Sequence, residues 1–384
     1  MICGERMNNE SWNNKYNISN NKNLFLSIIT NNCRVNRPKV NSEQKYTIYI
    51  SEENSTIQLW IRSTGCYFSK QGSCTMCDYW IGDKLDTPHL IVEKALLPYK
   101  NTYTTLIFNT CGSPLDEGEL SFSEQEAIWK VINQMGFSVI IIETHAFTVT
   151  PKKLECLKRS IQALIVIEMG LESSNDDVLL YCLNKRISLD SIITKTELVH
   201  EYSMKCCVNI LLGAPFLSTK DRMADCINSI RDVLRVGVDT CAVFPVNIKE
   251  YTLVKLLYEQ RMYNRVLGRE LVEVLNHFSE EELSRINIAW AKERRQNNKS
   301  YKSQILGPYF CSSCKDTMFS LLETYAAEND GKARRAIVTK MMDATSCCKV
   351  ILENRIENDE PSSSMIEKSY EYLLRNLLLN ECKY

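Results

Sequence analysis

Along the middle of the chain, short runs of β-branched, aliphatic and aromatic residues alternate with longer stretches whose apolar positions recur every three or four residues. The runs are 46–50 (YTIYI), 56–61 (TIQLWI), 105–109 (TLIFN), 138–143 (SVIIIE), 163–168 (ALIVIE), 207–212 (CVNILL) and 240–245 (TCAVFP), and their length and composition predict strands. The stretches 123–135, 151–160, 177–183, 192–202 and 222–236 predict helices. Ser123 and Glu126 are the expected capping box of the first, and Asn175 or Asp176 caps the helix after the fourth barrel strand. Counted from 56–61, six strand and helix units follow one another. Apolar strands separated by helices imply a buried parallel sheet, and six units suit a partial (β/α)6 barrel of the α/β class.

The two ends differ from this middle. Residues 1–45 are rich in Asn and Ser without sustained periodicity and read as a loosely ordered or surface-wrapping polar extension. Their best apolar run, 24–29, is too short for a signal sequence or a bilayer span, so no membrane association is expected. Beyond about residue 280 the pattern becomes helical and charged, with a break at Gly307 and Pro308. The expected organisation is therefore a polar extension (1–45), the barrel (46–280) and a helical region (281–384) closing over the barrel mouth.

Unusual polar residues collect after the C-terminal ends of the predicted strands, the face on which parallel β/α barrels build their sites. They are Cys66, Gly112 with Ser113, Glu143 with His145, Glu168 with Glu172, Asn209 with Gly213, and Asn247. Cys66 opens a C-x7-C-x2-C triplet with Cys74 and Cys77. Three thiolates hold three irons of a [4Fe–4S] cube and leave the fourth open for a small molecule, which suggests S-adenosylmethionine (SAM) chemistry. A zinc knuckle would need a fourth ligand, and the next candidate, His89, lies twelve residues beyond Cys77.

Composition narrows the setting. The 384-residue chain has 17 cysteines but no secretory signal, which argues for a reducing cytoplasm rather than a disulfide framework. A formal net charge of −1 gives no global footprint for nucleic acid, and the basic clusters at 292–295 and 332–335 read as solvated helix faces. Bound tRNA is permitted, not indicated. Cys156, Cys182, Cys206, Cys207, Cys226 and Cys241 fall on apolar faces and read as core, while Cys3 and Cys33 read as incidental.

Several ordered motifs across residues 55–280 together resemble the radical-SAM superfamily, in the branch that contains the Elongator catalytic subunit. They are RSTGC with G-x-C-x-M-C-x-Y, FNTCGSPLDEGE, IETH, EMGLESSNDDVL followed by NKRIS, VNILLGAPF and VFPVNIKEYTLV. The nearest likeness is to the radical-SAM partners of archaeosine synthase. The first cysteine gap departs from the commoner C-x3-C-x2-C pattern by its length. The resemblance implies a TIM-like radical-SAM barrel in which Cys66, Cys74 and Cys77 ligate the cluster. Met76 would stand against adenine, and Gly112 and Ser113 would form the turn that receives the SAM amino group. Glu168 and Glu172 would lie near ribose or sulfonium, Leu212 and Gly213 would let backbone approach adenine, and Tyr79 and Asn209 would complete the cofactor site.

Glu143, His145 and Glu172 would be the catalytic candidates. Read from the residues alone, Glu168 could instead pair with a lysine, His145 could be a loop residue, and Cys111 is a small buried residue or a radical quencher.

The implied activity is reductive cleavage of SAM to a 5′-deoxyadenosyl radical that abstracts hydrogen, with the electron from a one-electron reductant such as ferredoxin or flavodoxin. For the nearest relatives it would be C–N bond cleavage in a lysine-modified tRNA deazaguanine, beside a separate lysine-transferring subunit. Two alternatives remain. One is action on a small molecule or natural-product precursor, including 3-amino-3-carboxypropyl transfer; the other is a non-catalytic zinc-binding scaffold.

In the C-terminal region Cys311 and Cys314 form a C-x2-C ahead of an amphipathic helix, and are a candidate second metal site for zinc or another Fe–S cluster. Two more ligands are required. Cys347 and Cys348 follow but are adjacent, an awkward chelating pair, and Cys382 lies in a tail expected to fray. The resembling family also tends to end with a C-x2-C.

Overall fold

The computed structural model describes residues 22–35, 45–79, 82–110, 112–289, 294–295 and 304–381. Cys3, Cys111, Cys382 and, of the basic cluster at 292–295, Lys292 and Glu293 lie outside them, while Arg294–Arg295 is a short strand paired antiparallel with Gln304–Ile305 rather than a helix face. Strands form on the β-branched runs. In the eight-stranded sheet β1 (Tyr46–Ser51) pairs antiparallel with β2 (Thr56–Ile61), and from β2 on its pairings are parallel. The parallel strands continue as β3 (Thr105–Asn109), β4 (Val139–Thr144), β5 (Leu164–Glu172), β6 (Lys205–Leu212), β7 (Thr240–Pro245) and β8 (Ile286–Ile288). Neighbours in the sheet follow chain order, with β1 and β8 at the two edges, which gives the partial barrel.

Side-chain alternation then sorts the residues. Ile57, Leu59 and Ile61 of β2, Leu106 and Phe108 of β3, and Ile140 and Ile142 of β4 are almost fully buried. The intervening positions carry Trp60, Asn109 and Glu143 on the opposite face. Register brings Trp60 beside Asn109, Glu143 beside Glu168, and Gly170 beside Asn209. β6, inside the sheet, is buried from Cys206 to Leu212, as a strand covered on both faces must be. Cys156, Cys182, Cys206, Cys207, Cys226 and Cys241 are core residues, and Cys33 packs partly buried against the core.

Four further features differ from the sequence reading. A helix, Lys22–Arg34, occupies the segment expected to lack order, because Phe25, Leu26 and Ile29 share a buried face. The helix expected over 123–135 begins at Phe122, so Ser121 and Glu124, rather than Ser123 and Glu126, form the capping box. β8 adds a seventh parallel strand inside a segment read as helical; Glu280–Leu283 makes only a helical turn before it. Finally, 332–335 is not a solvated face: Arg334 is buried and donates to the carbonyls of Leu283, Ile286 and Glu328.

Asn175 caps its helix as expected, accepting from the amides of Asp177 and Val178. The C-terminal helix Gly331–Ala344 packs beside the helices at 268–276, 280–283 and 315–327. Ahead of them Ile305 reaches the barrel mouth, and beyond them Tyr370 of the helix Ser362–Glu381 packs on Phe25 and Phe216 and donates to the Tyr181 carbonyl at 2.8 Å. None of the described helices is long and apolar enough to cross a membrane.

Candidate active site

The long first gap of the cysteine triplet has a local cause. Cys66 is the N-cap of a single helical turn, Tyr67–Lys70, and the chain then reverses at Gly72, whose φ is +71°. A side chain there would meet the Ser27 backbone oxygen at 2.5 Å, so the turn needs glycine both for its conformation and for its closeness to the N-terminal helix. Cys74 has φ +59°, a strained value for a residue with a side chain. The Cys77 amide closes the second gap onto the Cys74 carbonyl at 2.9 Å.

Three parts of the chain hold this loop. From the N-terminal helix, buried Arg34 donates to the carbonyls of Ser69 (2.8 Å), Ser73 (2.9 Å), Cys74 (3.1 Å) and Cys77 (2.9 Å). From the NKRIS segment, Asn184 donates to the Gly72 carbonyl at 3.0 Å, and Thr75 donates from its hydroxyl to the Cys182 carbonyl at 2.8 Å. From the turn after β3, Gly112 comes so near that an added Cβ would sit 2.6 Å from the Cys66 Cα. That closeness requires glycine here. Buried Glu119 ties that turn to the loop, accepting from the Ser63 hydroxyl, the Thr110 hydroxyl at 2.8 Å and the Ser113 amide at 2.7 Å. The Ser113 hydroxyl is occupied by Thr144 and by Thr148 at 3.0 Å.

The triplet sits in its own small apolar cluster with Phe68, and Met76 packs against it. Burial pushes the Cys66 thiol up to about 12 and raises Cys74 and Cys77 as well, so this donor set becomes anionic only with a cation to pay for it. The Tyr79 amide donates to Cys77 Sγ at 3.4 Å, and His145 Nε2 lies 3.3 Å from Cys66 Sγ. His145 stacks on Phe147 and meets Phe68 edge-on, and burial with the nearby Lys185 pushes its imidazole down to about 3. A neutral ring in contact with a ligand sulfur can donate to it.

Beside the triplet opens a cleft of about 230 Å³ whose wall includes Met76, Cys77, Tyr79, Glu143, Glu172 and Asn209. Tyr79 packs edge-on to Trp60 (5.0 Å) beneath Lys249 (4.5 Å), and Lys249 is paired with buried Asp78 at 3.0 Å. Glu172 has φ +80° at an irregularity between β5 and β6 and pairs with Lys185 at 2.9 Å. Gly170 leaves room for that pair, since a Cβ there would lie 2.7 Å from the Glu172 carboxylate. Burial, then the neighbouring Glu168 and Glu172, raises the Glu143 carboxyl; burial likewise raises Glu168 against the opposing effect of Asn209. Asn209 Oδ1 is buried without a hydrogen-bond partner among the described residues.

The cleft therefore offers carboxylates and an unpaired acceptor, a set that fits a cationic guest bearing an amine, as SAM is. Leu212 and Gly213 stand outside the lining. Leu212 is fully buried, and Gly213, at φ +105°, is closed off by Val266 and Tyr263, whose hydroxyl donates to its carbonyl at 2.8 Å.

No protein-family model matches the chain. Archaeosine synthase subunit beta of Methanosarcina acetivorans is 25% identical over 283 residues, covering 71% of this chain and 79% of that protein. Its namesake in Thermococcus kodakarensis is 25% identical, covering 74% and 90% respectively. The radical-SAM resemblance is borne out. An uncharacterised protein of Methanocaldococcus jannaschii is 23% identical over 57% of this chain, a match that spans 63% of that relative, less than two thirds of its length. Among solved structures, a queuine lyase from Clostridium spiroforme bound to SAM and queuine is 22% identical, with a TM-score of 0.38, covering 52% of this chain and 79% of that one.

Among the residues that hold this site, sequence reasoning missed Arg34, Glu119, Lys185 and Lys249. Lys185 and Glu119 stood inside the quoted NKRIS and FNTCGSPLDEGE motifs, and Lys249 inside VFPVNIKEYTLV. Arg34 carried no motif; its only signal was the apolar spacing of Phe25, Leu26 and Ile29 ahead of it.

Proposed function

We propose that Cys66, Cys74 and Cys77 hold a [4Fe–4S] cluster and that the adjoining cleft receives SAM. When bound, these groups supply reductive cleavage of SAM and a 5′-deoxyadenosyl radical for hydrogen abstraction. The chain contributes position, charge and exclusion of water. Arg34 fixes four carbonyls of the ligand loop and brings positive charge beside it. His145 donates to the Cys66 sulfur, acting as a positioning and tuning group. Glu143 and Glu172, which line the cleft, would hold the cationic part of SAM, with Lys185 keeping Glu172 in place, and Asn209 Oδ1 would accept from its amine. Met76 and the rings of Tyr79 and Trp60 supply apolar wall.

For the substrate, similarity to archaeosine synthase beta subunits supports C–N bond cleavage in a modified deazaguanine of tRNA, beside a second enzyme subunit. A low-potential donor of the ferredoxin or flavodoxin kind would deliver the electron, and a reducing cytoplasm would suit the buried thiols.

The observation that carries the reading is a loop of three cysteines, two of them buried, whose third, Cys77, lines a cleft walled by the strand-end carboxylates Glu143 and Glu172. Anaerobic reconstitution with iron and sulfide, followed by dithionite and SAM, should release 5′-deoxyadenosine. Methylthioadenosine would redirect the reading to aminocarboxypropyl transfer, and intact SAM would refute it. Binding of tRNA should weaken as salt rises; absent or salt-independent binding favours a small-molecule substrate.

A further inference from the structure

Four cysteines away from the mouth meet at one point. Cys311 and Cys314 precede the helix Lys315–Ala327, with Cys314 as its N-cap and its amide donating to the Cys311 carbonyl at 3.1 Å. Cys347 and Cys348 end the 3₁₀ turn Ser346–Cys348, which follows the helix Gly331–Ala344. None of the four is in a disulfide. Their sulfurs lie 3.5 Å (311 to 314), 3.3 Å (311 to 347), 3.8 Å (314 to 348) and 3.9 Å (347 to 348) apart, and all four fall within 4.8 Å of one another.

This spacing discriminates between guests. Thiolates about 2.3 Å from one ion at tetrahedral angles are about 3.8 Å from each other. A four-iron cube binds each thiolate outward from a different iron, which spreads the sulfurs much farther. The separations here surround a single ion and leave no room for a cube.

We propose that Cys311, Cys314, Cys347 and Cys348 bind one zinc ion in a closed, structural site. The adjacency of Cys347 and Cys348, awkward in an extended chain, is accommodated by the 3₁₀ turn, which lets both sulfurs reach the same centre. The turn is braced from outside: Arg269 donates to the Met342 carbonyl at 2.6 Å and to the Thr345 hydroxyl at 3.2 Å, and Thr345 donates to the Met341 carbonyl at 2.7 Å. Such outer partners hold ligands in place.

The segment just before Cys311 runs to the cleft. Tyr309 donates from its amide to the Val266 carbonyl at 2.7 Å, the Gly268 amide donates to the Tyr309 carbonyl at 2.8 Å, and Ile305 lines the wall. The ion thus pins a cleft-lining segment to the end of a helix in the C-terminal region. The assignment does not depend on what the mouth triplet binds.

The test is metal and sulfide content of the full chain, grown with iron and zinc both supplied. In a variant carrying Cys66→Ala, Cys74→Ala and Cys77→Ala, zinc should remain near one ion per chain while iron and sulfide fall to background. Cys311→Ser with Cys314→Ser should lose the zinc. Should that variant fail to fold, cobalt exchanged into the wild-type chain still reports the site, through the visible and thiolate charge-transfer bands of a tetrahedral four-sulfur centre. Iron with sulfide retained in the triplet variant, or chains without metal in which these cysteines are disulfide-linked, would overturn the proposal. Loss of SAM cleavage in the triplet variant bears only on the mouth.

Discussion

The cysteine triplet at the barrel mouth and the cysteine quartet in the C-terminal region use one side chain in opposite ways. The triplet lies on a single loop, with Cys66 and Cys74 buried and Cys77 half-buried, beside a cleft of about 230 Å³. The quartet is drawn from two segments about thirty residues apart, includes the exposed Cys347, and packs its sulfurs against one another. A set closed by four protein ligands suits a structural ion, whereas a set short of a ligand and open to a cleft suits chemistry. Their backbones differ accordingly. The mouth loop carries a left-handed cysteine and is held from three sides by other parts of the chain, whereas the quartet rests on ordinary helix ends.

The largest effect expected from breaking this contrast is at the mouth. Replacing Cys66, Cys74 and Cys77 with Ala should abolish cluster absorbance and SAM cleavage together; surviving cleavage would refute the division of roles. Next comes Arg34. Arg34→Met leaves four carbonyls of the loop without their donor, a loss on the order of 3 kcal/mol. Iron per chain and the denaturant midpoint should both fall, with Arg34→Lys restoring part of each. Unchanged iron content would mean that the loop holds itself.

A smaller effect is expected at His145, where His145→Phe removes the donor to the Cys66 sulfur while keeping a ring between Phe68 and Phe147. The reduction potential of the reconstituted protein should move negative, since the reduced, more negative cluster loses a hydrogen bond. A potential equal to that of the wild type would confine His145 to packing.

The smallest effect concerns pH. Burial, then Glu168 and Glu172, raises the Glu143 carboxyl above its ordinary range. In the chain without cluster or SAM, the folded state then keeps a proton that the unfolded chain has already released. This carboxyl therefore withdraws stability as pH rises from the ordinary carboxylate range toward its folded value. Comparing denaturant midpoints at about pH 5 and about pH 8 should show a smaller decline in Glu143→Gln than in wild type. Parallel profiles would show that Glu143 is not held protonated.

The barrel was readable because its strands are short, β-branched and punctuated by helices, so TLIFN or TCAVFP has one plausible reading. The triplet was readable because cysteine spacing carries coordination chemistry directly. Other features depended on partners distant in sequence. Arg34 matters through carbonyls 35 to 43 residues away, and nothing local marks it. β8 is three residues long and is a strand because β7 offers an edge. Gly112 stood out in the sequence as part of a turn, yet what requires glycine there is the closeness of Cys66 and Glu119, and Gly213 is closed off by Tyr263 and Val266. Cys347 and Cys348 look like poor chelators until a 3₁₀ turn aims both inward.

The division between an open catalytic centre and a closed structural one is tested most directly by electron paramagnetic resonance of the anaerobically reconstituted, dithionite-reduced chain, recorded with and without SAM. We predict the signal of one cluster, changed by SAM, present in the Cys311→Ser and Cys314→Ser variant and absent when Cys66, Cys74 and Cys77 are replaced. A signal indifferent to SAM, or one that persists without the triplet and vanishes with the quartet, would contradict it.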